Sequence, residues 1–243
     1  MSDKNNDKES KSKKKNSLEI IDIQLLQNLE SQYLKPFRLQ YRDHDGRIKL
    51  WDCIQTHDSV SIIIFNISRN VLVFVRQFRP PVFLSTLFNK FNCSLLDINE
   101  LRIKAKEMNL DCGYTLELCA GIIDKKGLSP KEIAREEILE ETGYNPPINS
   151  LEFITSFRTG VGTSGSLQHL FYCQVDDSMR LNSGGGIDDE SIEVIELSIE
   201  SAKAEMYAND EETGLGRTSG FRFAVCWFNF VKYPQILTSM KNK

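Results

Sequence analysis

The most informative segment of the chain runs Gly121-Ile-Ile-Asp-Lys-Lys-Gly-Leu-Ser-Pro-Lys-Glu-Ile-Ala-Arg-Glu-Glu-Ile-Leu-Glu-Glu-Thr-Gly-Tyr144. Ser129 and Glu132 have the spacing of a capping box, and Pro130 occupies the first helical position, which favours a helix start here. Gly143 is typical of the residue that ends a helix. The sequence therefore predicts one short helix between these two signals, preceded by a glycine-bearing loop.

Four carboxylates share one face of this predicted helix: Glu136, Glu137, Glu140 and Glu141. Like charges at this spacing cost roughly 0.2–0.5 kcal/mol per pair on an isolated helix. Arg135, the nearest cation on the helix, points to the opposite side. A hard divalent cation held by oxygen ligands is the economical way to neutralise such a cluster. The alternative is a solvated acidic face.

The remaining pattern is rich in short apolar strands with few helices. We predict a buried hairpin formed by 59–66 and 71–78, later strands at 115–119, 151–157, 167–175 and 192–197, and helices at 200–207 and 221–231. This mixture indicates an α+β sandwich.

We divide the chain of 243 residues into a lysine-rich, disordered tail and two structured parts. The tail covers 1–16 and is followed by 17–57, a short helix and a β-hairpin. A larger domain covers 58–236, with an insertion at 79–114 that shows helical periodicity only near its end. We expect 237–243 to be a C-terminal tail.

Composition excludes several classes of protein. The net charge is −4, and because the tail carries +3, the remaining residues carry −7, which disfavours binding to a nucleic-acid backbone. No apolar run approaches the roughly 20 residues that a membrane span needs. The six cysteines form no C-x-x-C pair and there are only three histidines, so we expect neither a zinc site nor disulfides. The polar first sixteen residues favour a cytoplasmic protein.

The acidic segment resembles the Nudix box, G-x5-E-x7-R-E-U-x-E-E-x-G-U, where U is apolar. The second half matches at Glu137, Ile138, Glu140, Glu141, Gly143 and Tyr144. Three positions depart from the pattern. Gly121 lies one residue too far upstream, Leu128 stands near the first family glutamate, and Glu136 replaces the arginine.

One branch of the Nudix hydrolases, the UDP-sugar pyrophosphatases, shares both the longer box and the missing arginine. The resemblance to this branch, which lies close to the ADP-ribose pyrophosphatases, runs from about Pro36 to the last helix. It includes the motifs Trp51-Asp52, Thr56-His57-Asp58-Ser59-Val60, Arg76-Gln77-Phe78-Arg79-Pro80, Glu117-Leu118-Cys119-Ala120-Gly121, Gly160-Val161-Gly162, Gly184-Gly185-Gly186 and Ile192-Glu193-Val194.

This resemblance implies a Nudix-type mixed β-sheet sandwiched between helices and a metal-dependent hydrolase. The expected reaction splits the pyrophosphate of a nucleoside diphosphate sugar, most simply UDP-glucose to UMP and glucose 1-phosphate. ADP-ribose, giving AMP and ribose 5-phosphate, is the alternative substrate. A Nudix-fold nucleotide-binding module without catalysis is a more remote alternative. The implied metal is Mg²⁺, with Mn²⁺ as the second candidate.

The resemblance also implies the metal ligands. Glu137 and Glu141 are expected to bind the metal directly, with Glu140 assisting in metal binding and catalysis. The backbone carbonyl of Ala120 is expected to complete the protein ligands.

Other residues are implied as base and as substrate ligands. The base that activates water is expected in the loop before the strand at 192–197, at Glu190 or, as second choice, Asp188. The preceding glycines would let that loop swing over the substrate. Arg79 is expected to bind phosphate oxygens through its guanidinium. Glu117 is expected to contact sugar or metal.

Relatives of this branch form dimers through an N-terminal β-rich segment, so the resemblance implies a homodimer in which 36–57, with part of 79–114 as a further candidate contact, meet the partner near its substrate site. The sequence supports this independently, because Leu39, Tyr41, Leu50 and Trp51 are apolar residues too few to form a core of their own.

Overall fold

A mixed eight-stranded β-sheet lies at the centre of the computed structural model, which describes residues 18–24, 31, 34–95, 97–187 and 190–241. Two strands, β1 (Lys35–Arg42) and β2 (Ile48–Gln55), precede it and form a separate antiparallel hairpin. The central sheet contains β3 (Ser59–Asn66), β4 (Val71–Phe78), β5 (Tyr114–Glu117), β6 (Cys119–Ile122), β7 (Glu152–Arg158), β8 (Leu167–Val175), β9 (Ile192–Ser198) and β10 (Gly216–Arg217).

The α-helices are α1 (Pro80–Phe91), α2 (Ile98–Glu107), α3 (Pro130–Glu137), α4 (Ile199–Tyr207), α5 (Asp210–Thr213), α6 (Ser219–Trp227) and α7 (Tyr233–Lys241). Two π-turns, Ile138–Thr142 and Phe228–Lys232, continue α3 and α6. Among the described residues, no helix is both long and apolar enough to cross a membrane.

Strand β3 pairs with three other strands of the sheet. β3 pairs parallel to β8 and antiparallel to β4 and β6, while β4 also pairs with β5 and β9. Because both faces of β3 are covered, its sequence is a continuous apolar run rather than an alternating one. Ile62 and Ile64 belong to the core on one face, and Ile63 and Phe65 belong to the core on the other.

Helices cover both faces of the sheet. Ile133, Ala134 and Ile138 of the box helix pack against one face, and α4 and α6 pack against the other. The α+β sandwich predicted from the sequence is therefore confirmed. The box helix begins at Ser129, whose side chain accepts from the Glu132 N–H in the predicted capping box.

The insertion at 79–114 is more helical than the sequence indicated. It forms α1 and α2, whose small core includes Phe83, Leu87 and Leu101, and Ile20 and Ile23 pack against this core. The first helix was missed because it starts with two prolines, which are turn signals elsewhere but are tolerated in the first helical turn.

Two boundary expectations need correction. Residues 237–241, expected to begin a C-terminal tail, belong to α7. Residues 18–24, expected to be part of a short helix, are irregular, and the rest of that predicted helix lies mainly outside the described residues. The lysine-rich tail at 1–16 also lies outside them.

Candidate functional site

The acidic end of the box helix is a π-turn. The N–H of Ile138 donates to the carbonyls of both Ala134 and Arg135, and Gly143 ends the turn with φ +78°. Such a turn carries an extra residue, so side-chain positions deduced from a 3.6-residue period shift from here on. π-turns inside α-helices are frequent at functional sites.

Glu141 is the most deeply buried acidic side chain of this turn, with 3% of the residue exposed. Its Oε2 accepts a hydrogen bond of 3.0 Å from the N–H of Ala120 in β6. Burial raises the pKa of Glu141 to about 8, the hydrogen bonds from Cys119 and Ala120 offset this in part, and the nearby charges of Glu137 and Glu190 raise it further. Because burial makes this carboxylate costly to ionise, a cation that binds beside it stabilises the ionised form.

Glu137 lies beside Glu141 and is half-buried. Burial raises the pKa of Glu137 to about 7, and the charge of Glu140 adds to this increase. Its carboxylate rests on the backbone of Gly121, where a Cβ would stand only 1.9 Å from Oε1. The box glycine therefore leaves the space that the glutamate occupies, although it lies one residue upstream of the family position.

A cation that the sequence analysis missed neutralises the outer side of the cluster. Lys125 Nζ lies 2.7 Å from Glu136 Oε2 and 3.5 Å from Glu140 Oε1. The sequence offered a signal, a lysine pair in the loop before the helix, but no spacing rule connects a loop lysine to this face. Within the described part of the chain, neither Glu137 nor Glu141 forms a salt bridge.

Arg135 points away from the cluster, as expected. Its Nη2 donates to Asn145 Oδ1 at 2.8 Å and its Nε donates to the carbonyl of Pro146 at 3.0 Å.

The glycine-rich loop does not have the arrangement expected for a swinging segment. The N–H groups of Gly185 and Gly186 donate to the carbonyls of Glu141 and Glu140, at 2.9 and 3.0 Å. The glycines are thus needed for close approach to the π-turn. Beyond them, Glu190 is exposed, and its Oε2 accepts from an N–H of the same loop at 3.2 Å.

The sequence offered two candidate bases, Glu190 and Asp188. The charge of Glu190 adds to the rise in the pKa of Glu137 and of Glu141. Asp188 lies outside the described residues.

Arg79 and Glu117, predicted as separate ligands, form one ion pair. Nε and Nη2 of Arg79 donate to the two oxygens of Glu117 at 2.8 and 2.7 Å. The hydroxyl of Thr115 also donates to this carboxylate. The bonds to Glu117 raise the pKa of Arg79, and Glu141 and Glu190 act in the same direction. Both oxygens of Glu117 therefore accept hydrogen bonds in this structure.

The donor set suits a small, hard cation that keeps much of its water. Among the described residues, no three His, Cys, Asp or Glu side chains stand ready to hold a metal. The inner pair instead offers two carboxylates with raised pKa values, the half-buried Glu137 and the buried Glu141, the second of which contacts the Ala120 backbone. Mg²⁺ is typically held by one or two carboxylates, waters and substrate phosphates, so these residues fit it.

Known sugar-nucleotide pyrophosphatases match most of the chain. No family model matches the chain. Over 202 residues it is 41% identical to the uridine diphosphate glucose pyrophosphatase NUDT14 of Bos taurus, covering 82% of this chain and 89% of that protein. The Mus musculus protein of the same name gives the same identity and coverage. A GDP-mannose pyrophosphatase of Pectobacterium atrosepticum is 32% identical over 161 residues, 66% of this chain and 68% of that protein.

Proposed function

The chain belongs to the Nudix hydrolases, and from this premise we propose that it hydrolyses the pyrophosphate bond of UDP-glucose to give UMP and glucose 1-phosphate. The neighbouring carboxylates of the half-buried Glu137 and the buried Glu141 are the observation that carries the proposal, because they suit a metal-dependent hydrolase rather than a binding module. The higher identity to UDP-glucose pyrophosphatases than to GDP-mannose pyrophosphatases supports the choice of sugar nucleotide.

Metal binding is assigned to the inner carboxylates. Glu137 and Glu141 would hold Mg²⁺, or Mn²⁺ as the alternative, together with the carbonyl of Ala120. Glu140 would assist in metal binding from its position beside Glu137. Lys125 forms an ion pair with Glu140 and neutralises part of its charge. A bound divalent cation neutralises pyrophosphate charge and stabilises the leaving phosphate.

Glu190 is assigned as the base that accepts a proton from the attacking water. Its carboxylate is exposed, and among the described residues one backbone N–H donates to it, at Oε2, which leaves Oε1 to accept a proton. Asp188 is the alternative base.

Arg79 is assigned the role of binding a phosphate oxygen of the substrate. Its Nε and Nη2 are oriented by Glu117, and Nη1 remains as the donor that points away from that fork.

We also propose a homodimer formed through the β1–β2 hairpin. Phe37, Leu39, Tyr41 and Trp51 lie on one face of the hairpin by register, and each remains more than a third exposed. A two-stranded hairpin is at best marginally stable alone in water, so a second copy is the natural cover for this face. Sedimentation equilibrium at micromolar concentration tests this, and a monomer throughout would contradict it.

The substrate is tested with a panel of UDP-glucose, GDP-mannose and ADP-ribose in Mg²⁺, following release of UMP, GMP or AMP. We expect the highest kcat/KM for UDP-glucose. GDP-mannose is the second candidate, because one relative of that name matches 66% of the chain. A preference for ADP-ribose would contradict the proposed substrate but not the reaction class. We also propose the cytoplasmic location that the sequence composition indicated, and fractionation of cells tests it.

A further inference from the structure

The loop that leads to Glu190 is docked along the end of the box helix. Backbone N–H groups of the loop donate to carbonyls of the helix end: Leu181 to Gly143 at 2.8 Å, Gly185 to Glu141 at 2.9 Å and Gly186 to Glu140 at 3.0 Å. The donors come from both ends of the segment 181–186, so this segment is held along its length.

Glycines on both sides make this contact close. Gly184 has φ +68°, and a Cβ there would stand 2.3 Å from the carbonyl oxygen of Glu141 and 2.7 Å from the backbone of Thr142. A Cβ on Gly143 would stand 2.2 Å from the carbonyl oxygen of Asn182. The side chain of Asn182 fixes the turn, because its Oδ1 accepts from the Gly184 N–H at 2.7 Å.

The same segment controls where Glu190 lies. The N–H of Ile192 donates to the Gly185 carbonyl at 3.2 Å, which ties the start of β9 to the docked loop. A Cβ on Gly186 would stand 2.6 Å from the Cβ of Glu190. The loop therefore sets the place of the Glu190 side chain relative to the π-turn.

We propose that Gly184 and Asn182 are positioning residues that fix Glu190 relative to Glu137 and Glu141, so that the base and the metal ligands form one rigid unit. The proposal rests on the proposed function, in which Glu190 acts as the base. It replaces the expectation of a loop that swings over the substrate.

An added methyl group at Gly184 would have to move about 1 Å to reach ordinary van der Waals distance from Glu141. Glu141 and Thr142 are buried, whereas Asn182 and its neighbour Ser183 are exposed, so the loop gives way rather than the turn. A misplacement of this size costs on the order of 100-fold in rate.

The test compares Gly184→Ala with Gly214→Ala. Gly214 has the same φ of +68° but has no atom within 4 Å of an added Cβ, so both variants bear the same backbone penalty and only one meets a clash. We expect Gly184→Ala to lower kcat about 100-fold with KM within about twofold, and Gly214→Ala to keep the parent kcat. Equal kcat values in the two variants would overturn the proposal.

Binding of Mn²⁺ in the absence of substrate separates movement of the loop from damage to the turn. Gly184→Ala should keep the parent Mn²⁺ affinity, and loss of Mn²⁺ binding would overturn the proposal because the metal ligands had moved. If Gly184→Ala fails to fold, the kcat values of two Asn182 variants test the proposal instead. Asn182→Ala should lower kcat about tenfold and Asn182→Asp, which retains the acceptor, should recover it; identical kcat values would refute the role.

Glu190→Gln separates this inference from the function on which it rests. If Glu190→Gln is inactive while Gly184→Ala is fully active, the base assignment stands and the positioning proposal is wrong. If Glu190→Gln is fully active, the base lies elsewhere and the positioning proposal is wrong with it.

Discussion

Replacing the buried Glu141 by Gln should flatten the pH dependence of stability in the metal-free protein. The pKa of Glu141 rises from 4.5 to about 8 on folding, so the folded state holds a proton that the unfolded state releases. A raised carboxyl pKa contributes stability that is complete below about pH 4.5 and is lost as pH rises towards about 8. The amide introduced by Glu141→Gln does not titrate in either state, so this contribution disappears from the variant.

The size of the effect follows from the shift. Each pH unit between the two pKa values changes the free energy of unfolding by about 1.4 kcal/mol, so the parent should lose roughly 2–3 kcal/mol more than Glu141→Gln between pH 5 and pH 7. The residue is 3% exposed, so solvent screening reduces this little. For a protein of this size, the difference corresponds to about 4–12 °C in Tm.

Urea unfolding at pH 5, 6 and 7 in EDTA measures the difference directly. Glu200→Gln is the control, because that side chain is 82% exposed and lies on another helix, and it should keep the parent pH dependence. Added Mg²⁺ should restore stability to the parent at pH 7 by binding the ionised carboxylates, and should do so far less in Glu141→Gln. Parallel stability curves for parent and Glu141→Gln in EDTA would refute the buried-carboxylate reasoning.

Three further outcomes are expected around the same site. Glu190→Gln should lower kcat at least about 100-fold with KM little changed in steady-state assays, and if only Asp188→Asn does so, the two roles are exchanged. Arg79→Lys and Glu117→Gln should each raise KM about tenfold, because the first removes the guanidinium fork and the second its orienting partner; unchanged KM in both would exclude phosphate binding there. Lys125→Met should tighten Mn²⁺ binding a few-fold in calorimetric titration, because a positive charge near the metal is removed; weaker binding would contradict this.

Features encoded by local sequence were predictable. The start of the box helix follows from Ser129, Pro130 and Glu132, which act within one turn, and the capping box is present as predicted. The buried hairpin of β3 and β4 follows from two β-branched runs around a short turn, and its strands have the predicted bounds.

Features that depend on tertiary contacts were not predictable from one sequence. Lys125 reaches Glu136 only because the loop folds back over the helix, and the ion pair of Arg79 with Glu117 joins residues 38 positions apart. The contact of Gly184 with the π-turn could not be predicted for the same reason. In a sequence, consecutive glycines suggest mobility, but here the missing Cβ of Gly184 permits close packing on the π-turn.

In the proposed function, Glu137 and Glu141 hold the metal on which hydrolysis depends. The most direct measurement follows UDP-glucose hydrolysis and Mn²⁺ binding together in the parent, Glu137→Gln and Glu141→Gln. We predict that EDTA abolishes the parent activity, and that each variant loses at least about 100-fold in kcat together with Mn²⁺ affinity while remaining no less stable without metal. Full activity and unchanged Mn²⁺ binding in either variant would contradict the account.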